Sequence, residues 1–393
     1  MGGNAFSNNE ITMTRIDDQL YQQVAYELEA ILGHFYRQVL FPPSAPGKVD
    51  HGDIDFLVSE LKGTQDVEVE NAIAKQLNAA AVFRNGAMTS YAVPHPQRIG
   101  QHVQVDIQLC KPDYLPWLYF ITSYGDLVPI LGSIHHKFGL TINDKGLWVH
   151  LDLPKAALTC GVPRSEMTIF VTLDADKMME FMGLDAAAYR KGFSTEEEIF
   201  DWIASGKYFR PVLHWTSTLS DGRAKQDETA DTSKETQTTK RRMLARFGSY
   251  SQSRPAGPLA KSTPTAVAFE AVTFFDKRKH YDTQMAYCLS EVQDFDFWQQ
   301  VRATFPGSSS RKARIIRSLK KWVIVEDGEM RIGLQAVEQS RLSRGSKQEL
   351  QGRLNWIAEN WEEAYQREKT AGKKKAVSGN EKTCGGENGD CCY

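Results

Sequence analysis

The residues able to do chemistry in this sequence are three aspartates. Asp53 and Asp55 lie in Gly52-Asp53-Ile54-Asp55-Phe56-Leu57-Val58, and Asp106 lies in Val103-Gln104-Val105-Asp106-Ile107. Residues two apart on a strand share a face, so Asp53 and Asp55 stand together while Ile54, Phe56 and Val58 enter a core behind them. Gly52 leaves room for a ligand or a backbone to come close. Segment 102–110 alternates, with Val103, Val105, Ile107 and Leu109 on one side and His102, Gln104, Asp106 and Gln108 on the other. If the two strands are neighbours, three carboxylates converge on one spot. Like charges that close raise one another's pKa and oppose folding unless cations sit among them. Hard oxygen donors of this kind suit Mg²⁺ or Mn²⁺. The matching chemistry is in-line phosphoryl or nucleotidyl transfer, in which two ions roughly 3.5–4 Å apart stabilise the attacking and leaving oxygens. A carboxylate can also take the proton of the attacking hydroxyl. An Asp-x-Asp pair alone is more often a solvated strand end. Gly52, the apolar run and the third aspartate together favour the functional reading.

Several elements must position these groups. Residues 16–40 read as one helix, with Leu20, Val24, Leu28, Ile31 and Phe35 at helical spacing and Asp17 or Asp18 as its cap. Phe41-Pro42-Pro43-Ser44-Ala45-Pro46-Gly47 must then turn. A helix over 67–78 and strands over 79–84 and 89–93 follow, with Asn85-Gly86 as their turn. Helices are expected at 113–122 and 127–138, and a hairpin pairs 140–142 with 147–151. One strand and then short helices fill 165–216. Between Asp221 and Arg242 the only apolar residues are Ala224 and Ala230, too few to offset the entropy of ordering that stretch. Helical periodicity returns over 265–304 and 346–369. The expected organisation is a catalytic domain over 1–155, a helical extension over 156–219, a flexible linker over 220–264, a helical domain over 265–369 and a disordered tail over 370–393.

Gly52-Asp53-Ile54-Asp55, followed by apolar residues and by a later Val105-Asp106-Ile107, resembles the DNA polymerase β-type nucleotidyltransferase superfamily. Its pattern is a helix, a short strand, a Gly-Ser turn, Asp-x-Asp and a third Asp. Helix 16–40 and strand-like Val39-Leu40-Phe41 supply the first two parts. The resemblance implies an α+β fold, a palm built on a small mixed sheet with flanking helices, followed by helical domains. It further implies that Asp53, Asp55 and Asp106 hold two Mg²⁺ or Mn²⁺ ions, with a nucleoside triphosphate such as ATP as substrate. Ser44 sits where the family's serine would hold phosphates, but Pro43 replaces the glycine, and Gly47 and Lys48 follow later. A turn containing Ser44, Gly47 and Lys48 could offer backbone N–H groups and a cation, with Gly52 beside it; a Pro-rich connector is the alternative. Gly2-Gly3 is too far from Asp53 for the Gly-Gly turn and reads as an N-terminal arm or a frayed end, with Arg15 near phosphate in the first case. A catalytically silent scaffold or binding module on the same fold is the competing expectation.

Lys+Arg 47 against Asp+Glu 49 gives a net charge of −2, so any nucleic-acid contact must come from a local patch. Segment 311–321 is such a patch, six basic residues without an acidic one, and could meet RNA phosphate or simply be a solvated face. His135-His136-Lys137 suits a helix C-terminus, with Lys137 also able to reach triphosphate; Tyr124 could start a helix or stack on a base, and His51 could approach the metal site or lie in a loop. The six cysteines form no C-x-x-C and no disulfide framework, which favours a reducing compartment. No apolar run spans a bilayer and the opening residues do not form a secretory signal, so the expected location is intracellular, cytoplasmic or nuclear.

Overall fold

The computed structural model describes residues 5–6, 11–63, 66–211, 242–254, 262–336 and 342–380. It divides into two compact units, Met1–Asp152 with Thr168–Lys279, and Leu153–Met167 with His280–Tyr393. The fold is α+β: a small mixed sheet flanked by helices, followed by a helical region.

The first unit begins with β1 (Ile16–Asp17), α1 (Asp18–Phe35), β2 (Tyr36–Leu40), β3 (Asp50–His51) and β4 (Asp53–Leu61). Then come α2 (Asp66–Gln76), β5 (Ala81–Asn85), β6 (Met88–Pro94) and β7 (His102–Leu109). Five of these strands form one sheet in the order β2-β4-β7-β6-β5, with β4 and β7 parallel and the other pairs antiparallel. Asp17 caps α1, its Oδ1 accepting the Leu20 N–H at 2.8 Å. Leu20, Val24, Leu28 and Leu32 of α1, with Ile73 and Leu77, cover the sheet face that carries Ile54, Phe56, Val58, Val103, Val105 and Ile107. The helix expected to reach residue 40 stops at Phe35. Tyr36–Leu40 instead joins the sheet edge, pairing Gln38 with Ser59 and Leu40 with Leu57. The spacing of apolar residues is compatible with either state there, and tertiary pairing with β4 decides. The β5–β6 turn lies one residue later than expected: Asn85 pairs with Met88, and Gly86, at φ +63°, leads the turn.

The opposite sheet face is covered only in part. α3 (Leu115–Thr122) sets Leu115 and Leu118 against Leu57 and Cys110, leaving the end of β4 that carries Asp53 and Asp55 outside this cluster. α4 (Leu127–His136) follows, then β8 (Leu140–Asn143), β9 (Gly146–His150) and β10 (Thr168–Thr172). These strands form an antiparallel sheet in which Ile169 pairs with Val149, so β10, expected within the extension 156–219, shares a sheet with residues of the expected catalytic domain. Next come α5 (Ala175–Met182), α6 (Ala186–Lys191) and α7 (Glu196–Ala204), capped by Asp174, Asp185 and Thr195.

The stretch expected as a linker contains α8 (Arg242–Ser253). Met243 and Phe247 are buried, and the Phe247 ring packs edge-on against Phe200 at 5.3 Å. The apolar-poor composition ends at residue 242, and the four-residue spacing of Met243 and Phe247 then presents one apolar side. The linker expectation for 220–241 lies outside the described residues. α9 (Pro264–Phe274) also belongs to the first unit, where Glu270 accepts from Lys207 Nζ at 2.8 Å and Tyr208 Oη at 2.9 Å.

The second unit contains α10 (Arg278–Thr304) from His280 onward, α11 (Ser309–Trp322), β11 (Val323–Glu326), β12 (Glu329–Ile332) and α12 (Lys347–Asn380). Its core gathers Phe297, Trp298, Val301, Ile315, Leu319, Trp322 and Ile357. The β11–β12 hairpin stands inside the region expected as a helical domain, between its two stretches of helical periodicity. Asp327 and Gly328 turn it with φ +53° and +82°, both in the left-handed region that two-residue hairpin loops need. α12 also runs past Lys369 to Asn380, into the expected disordered tail, as the continuation of a helix already nucleated upstream. Residues 381–393 lie outside the described residues.

Candidate active site

Adjacent parallel strands bring the three aspartates together. β4 and β7 pair with Asp53 beside Gln104 and Asp55 beside Asp106, and β6 places Ser90 on the other side of Asp106. Ligand oxygens of Asp53, Asp55 and Asp106 all lie within 4.8 Å of one another. The alternation that sends Ile54, Phe56, Val105 and Ile107 into the core fixes the aspartates on the opposite face.

Their surroundings differ. Asp106 is buried, Asp53 half-buried, and Asp55 has an open side toward solvent. Desolvation, with the charges of Asp53 and Asp106, raises the Asp55 carboxyl to about 7; the Lys48 ammonium opposes this. Desolvation also raises Asp106, and Asp53 adds to it, while hydrogen bonds from Ser90 and Gln104 pull the other way. Three carboxylates arranged so that ionisation of one penalises the others form an all-oxygen donor set that a hard divalent cation fits.

Asp106 is held from the side. Gln104 Nε2 donates to both of its carboxylate oxygens, at 3.0 and 2.8 Å, and Gln104 Oε1 accepts the backbone N–H of Ala5 at 3.0 Å. Phe6, next in the chain, is 1% exposed. The expected N-terminal arm is therefore tied to Gln104, beside Asp106, through the Ala5 N–H, whereas Gly2 and Gly3 lie outside the described residues. Met13 bridges to His102 at the start of β7.

The 42–48 turn flanks the aspartates. Lys48 N donates to Ala45 O at 3.3 Å, with Pro46 and then Gly47 (φ +72°) between them, the residue pair a type II turn asks for. Tyr124 N donates to Pro43 O at 2.7 Å, and a Cβ on Gly125 would lie 3.1 Å from Ala45 Cβ, so the 124–125 corner buttresses the turn closely. The Tyr124 ring is edge-on to Phe193 and Tyr189, at 5.1 and 5.8 Å, engaged in packing and not offered to a base. Ser44 Oγ donates to Tyr21 Oη at 3.2 Å. Tyr21 in turn stacks on His51 at 3.6 Å, and the buried His51 bonds Asp18 Oδ1 through Nε2 at 3.1 Å. Desolvation lowers His51 and raises Tyr21 to about 12, with Asp55 and Asp53 contributing to the tyrosine's shift. Gly52 is buried just before β4. Arg15 is paired with Asp50, Nε to Oδ2 at 2.5 Å, and also feels Asp53.

Gln104, Ser90 and Tyr21 are the residues that sequence reasoning missed. Gln104 carried a legible signal, a polar side chain two positions before Asp106 on the same strand face. Ser90 and Tyr21 become neighbours only through strand pairing and loop packing.

No family model matches this chain, and no curated protein matches it. Among solved structures it is similar to Leishmania infantum polymerase β in a ternary P/T complex, at 17% identity and a TM-score of 0.31, covering 44% of this chain and 74% of that one. For the ternary gap complex of the same polymerase the identity is 17% and the TM-score 0.29, covering 49% and 68%. These likenesses are distant, and the geometry of the three aspartates stands without them.

Proposed function

We propose that this chain is a nucleotidyltransferase of the DNA polymerase β-type superfamily that moves a nucleoside monophosphate from a nucleoside triphosphate to an acceptor hydroxyl. The observation that carries this reading is the convergence of Asp53, Asp55 and Asp106 within 4.8 Å on two parallel strands. The order of α1, β2, turn, Asp-x-Asp strand and third Asp strand supports it.

In this reading Asp53, Asp55 and Asp106 would be the residues that hold two Mg²⁺ or Mn²⁺ ions. When bound, such ions neutralise charge building on the transferred phosphate and make the acceptor hydroxyl easier to deprotonate. Asp106, with both oxygens already accepting from Gln104, is held in one orientation from which a carboxylate oxygen can take the acceptor proton. Lys48, close enough to lower Asp55, supplies positive charge on the side where triphosphate would lie, and the backbone around Ser44 and Gly47 supplies N–H donors. Gly52 keeps the approach to Asp53 free of a side chain.

The acceptor is an RNA end, a protein or a small molecule. Arg314 and Arg317 are exposed on α11, which supports an RNA acceptor, whereas Lys320 and Lys321 are engaged with Asp294 and Glu368 at 3.9 and 2.6 Å. No described helix is long and apolar enough to cross a membrane. Cys110, Cys160 and Cys288 are free thiols, which supports an intracellular location.

The test is to incubate the protein with each labelled nucleoside triphosphate and Mg²⁺ or Mn²⁺ in the presence of RNA, protein and metabolite fractions, following label transfer and thermal shift together. Metal-dependent stabilisation by a nucleotide and label in one fraction are expected. Neither stabilisation nor transfer would assign the fold a silent scaffold role instead.

A further inference from the structure

Gln104 is 4% exposed, yet every polar atom of its carboxamide is used. Its nitrogen donates to both oxygens of Asp106, and its oxygen accepts from the Ala5 N–H. The two partners fix which end is which, because a carboxylate can only accept and a backbone N–H can only donate. A carboxylate bridged by one donor at 2.8 and 3.0 Å is restrained in both rotation and tilt. The anchor that orients the glutamine comes from almost a hundred residues away in sequence, and the adjacent Phe6 is 1% exposed. Strand register adds a second restraint, since Gln104 stands beside Asp53 just as Asp106 stands beside Asp55.

We propose that Gln104 is the positioning residue of this site, and that the N-terminal segment, through Ala5 and Phe6, locks it so that Asp106 is preset for a divalent cation. The proposal rests on the metal-binding reading of the three aspartates. Chain connectivity does not require such an arrangement, because the register of β7 is given by its pairing with β4 and β6. The link makes the geometry of Asp106 depend on whether residues 5–6 are seated, so loss or displacement of the arm weakens the cation site without removing a ligand. Groups that bond to metal ligands commonly matter this way, their removal costing on the order of 10–100-fold in metal affinity or activity.

The test uses the full chain and Mn²⁺ alone, measured by electron paramagnetic resonance titration, with Gln104→Met, Ala5→Pro and Asp106→Asn compared under conditions where circular dichroism finds each folded. Gln104→Met keeps the side-chain length and removes both hydrogen-bonding ends; Ala5→Pro removes the N–H donor and sets ring carbon in its place. Mn²⁺ affinity should fall about 10–100-fold in Gln104→Met and by about threefold or more in Ala5→Pro. Wild-type affinity in either variant, with Asp106→Asn impaired, would overturn the positioning role while leaving the metal site standing. Wild-type affinity in Asp106→Asn as well would overturn the metal reading itself. If a variant only loosened the fold, its melting temperature would move and the Mn²⁺ affinity of the folded protein would not, which also counts against the proposal.

Discussion

Asp55 and Asp106 stand side by side on parallel strands β4 and β7, one with an open side toward solvent and the other buried. Side chains so paired lie roughly one strand spacing apart, about 4.8 Å. Their mutual repulsion is built into the sheet register and cannot be relieved by rotating a loop. Only a proton, a cation or substitution of one partner removes it.

Replacing Asp53 and Asp55 together by asparagine removes two of the three carboxylates while keeping their size. Nucleotidyl transfer should fall by at least about 100-fold, because charge on the transferred phosphate is no longer met. In EDTA the same protein should melt about 2–5 °C above the wild type, since the repulsion is gone. Label transfer and differential scanning calorimetry check the two halves, and retained turnover would refute the assignment of these residues.

The metal-free protein should show a pH signature at Asp55. Folding raises this carboxyl from 3.8 to about 7, so the folded state binds a proton that the unfolded chain releases. The contribution to stability is fully present below about pH 4 and is lost as pH rises through 7. Urea denaturation of wild type and Asp55→Asn in EDTA should therefore give a difference that grows in favour of the variant between pH 4 and 8. A difference that does not change with pH would show that Asp55 ionises freely.

Lys48→Met should weaken nucleotide-dependent stabilisation by about three- to tenfold in apparent affinity, because a cation facing triphosphate is lost. Isothermal titration with a non-hydrolysable nucleotide and Mg²⁺ reads this directly. Unchanged affinity would place the triphosphate away from the 44–48 turn.

Phe247→Ala probes the helix that stands where a linker was expected. Phe247 is fully buried against Phe200, so truncation should cost about 3–5 kcal/mol in urea denaturation. A cost near zero would mean that α8 contributes nothing to the core.

The sequence was most legible where one period and one chemistry agreed. Alternation in 102–110 placed Asp106 opposite its aliphatic neighbours, and the i, i+2 spacing placed Asp53 beside Asp55, because strand geometry alone decides both. Legibility failed where context decides. Tyr36–Leu40 reads as helix or strand until β4 pairs with it. α8 was hidden behind the polar stretch that precedes it, and β10 was separated from its partner β9 by a detour through the second unit. The Asp327-Gly328 hairpin falls between the two stretches of helical periodicity, 265–304 and 346–369, where no single period is sustained long enough to be read. Gln104 was visible as a polar residue on the correct face, but its tie to Ala5 depends on a long-range closure that no short window contains.

Residues 153–167 leave the first unit, join the second, and hand the chain back at Thr168. Within the second unit, the carbonyl of Glu166 accepts from Gln284 Nε2 at 3.0 Å and Cys288 Sγ at 3.3 Å. During synthesis this excursion emerges more than a hundred residues before those partners leave the ribosome, and must wait for them. A protein cut back to end near residue 279 would therefore carry an orphaned strip between β9 and β10. Any attempt to isolate the carboxylate-bearing unit must replace that strip with a short bridge as well as trim the far end.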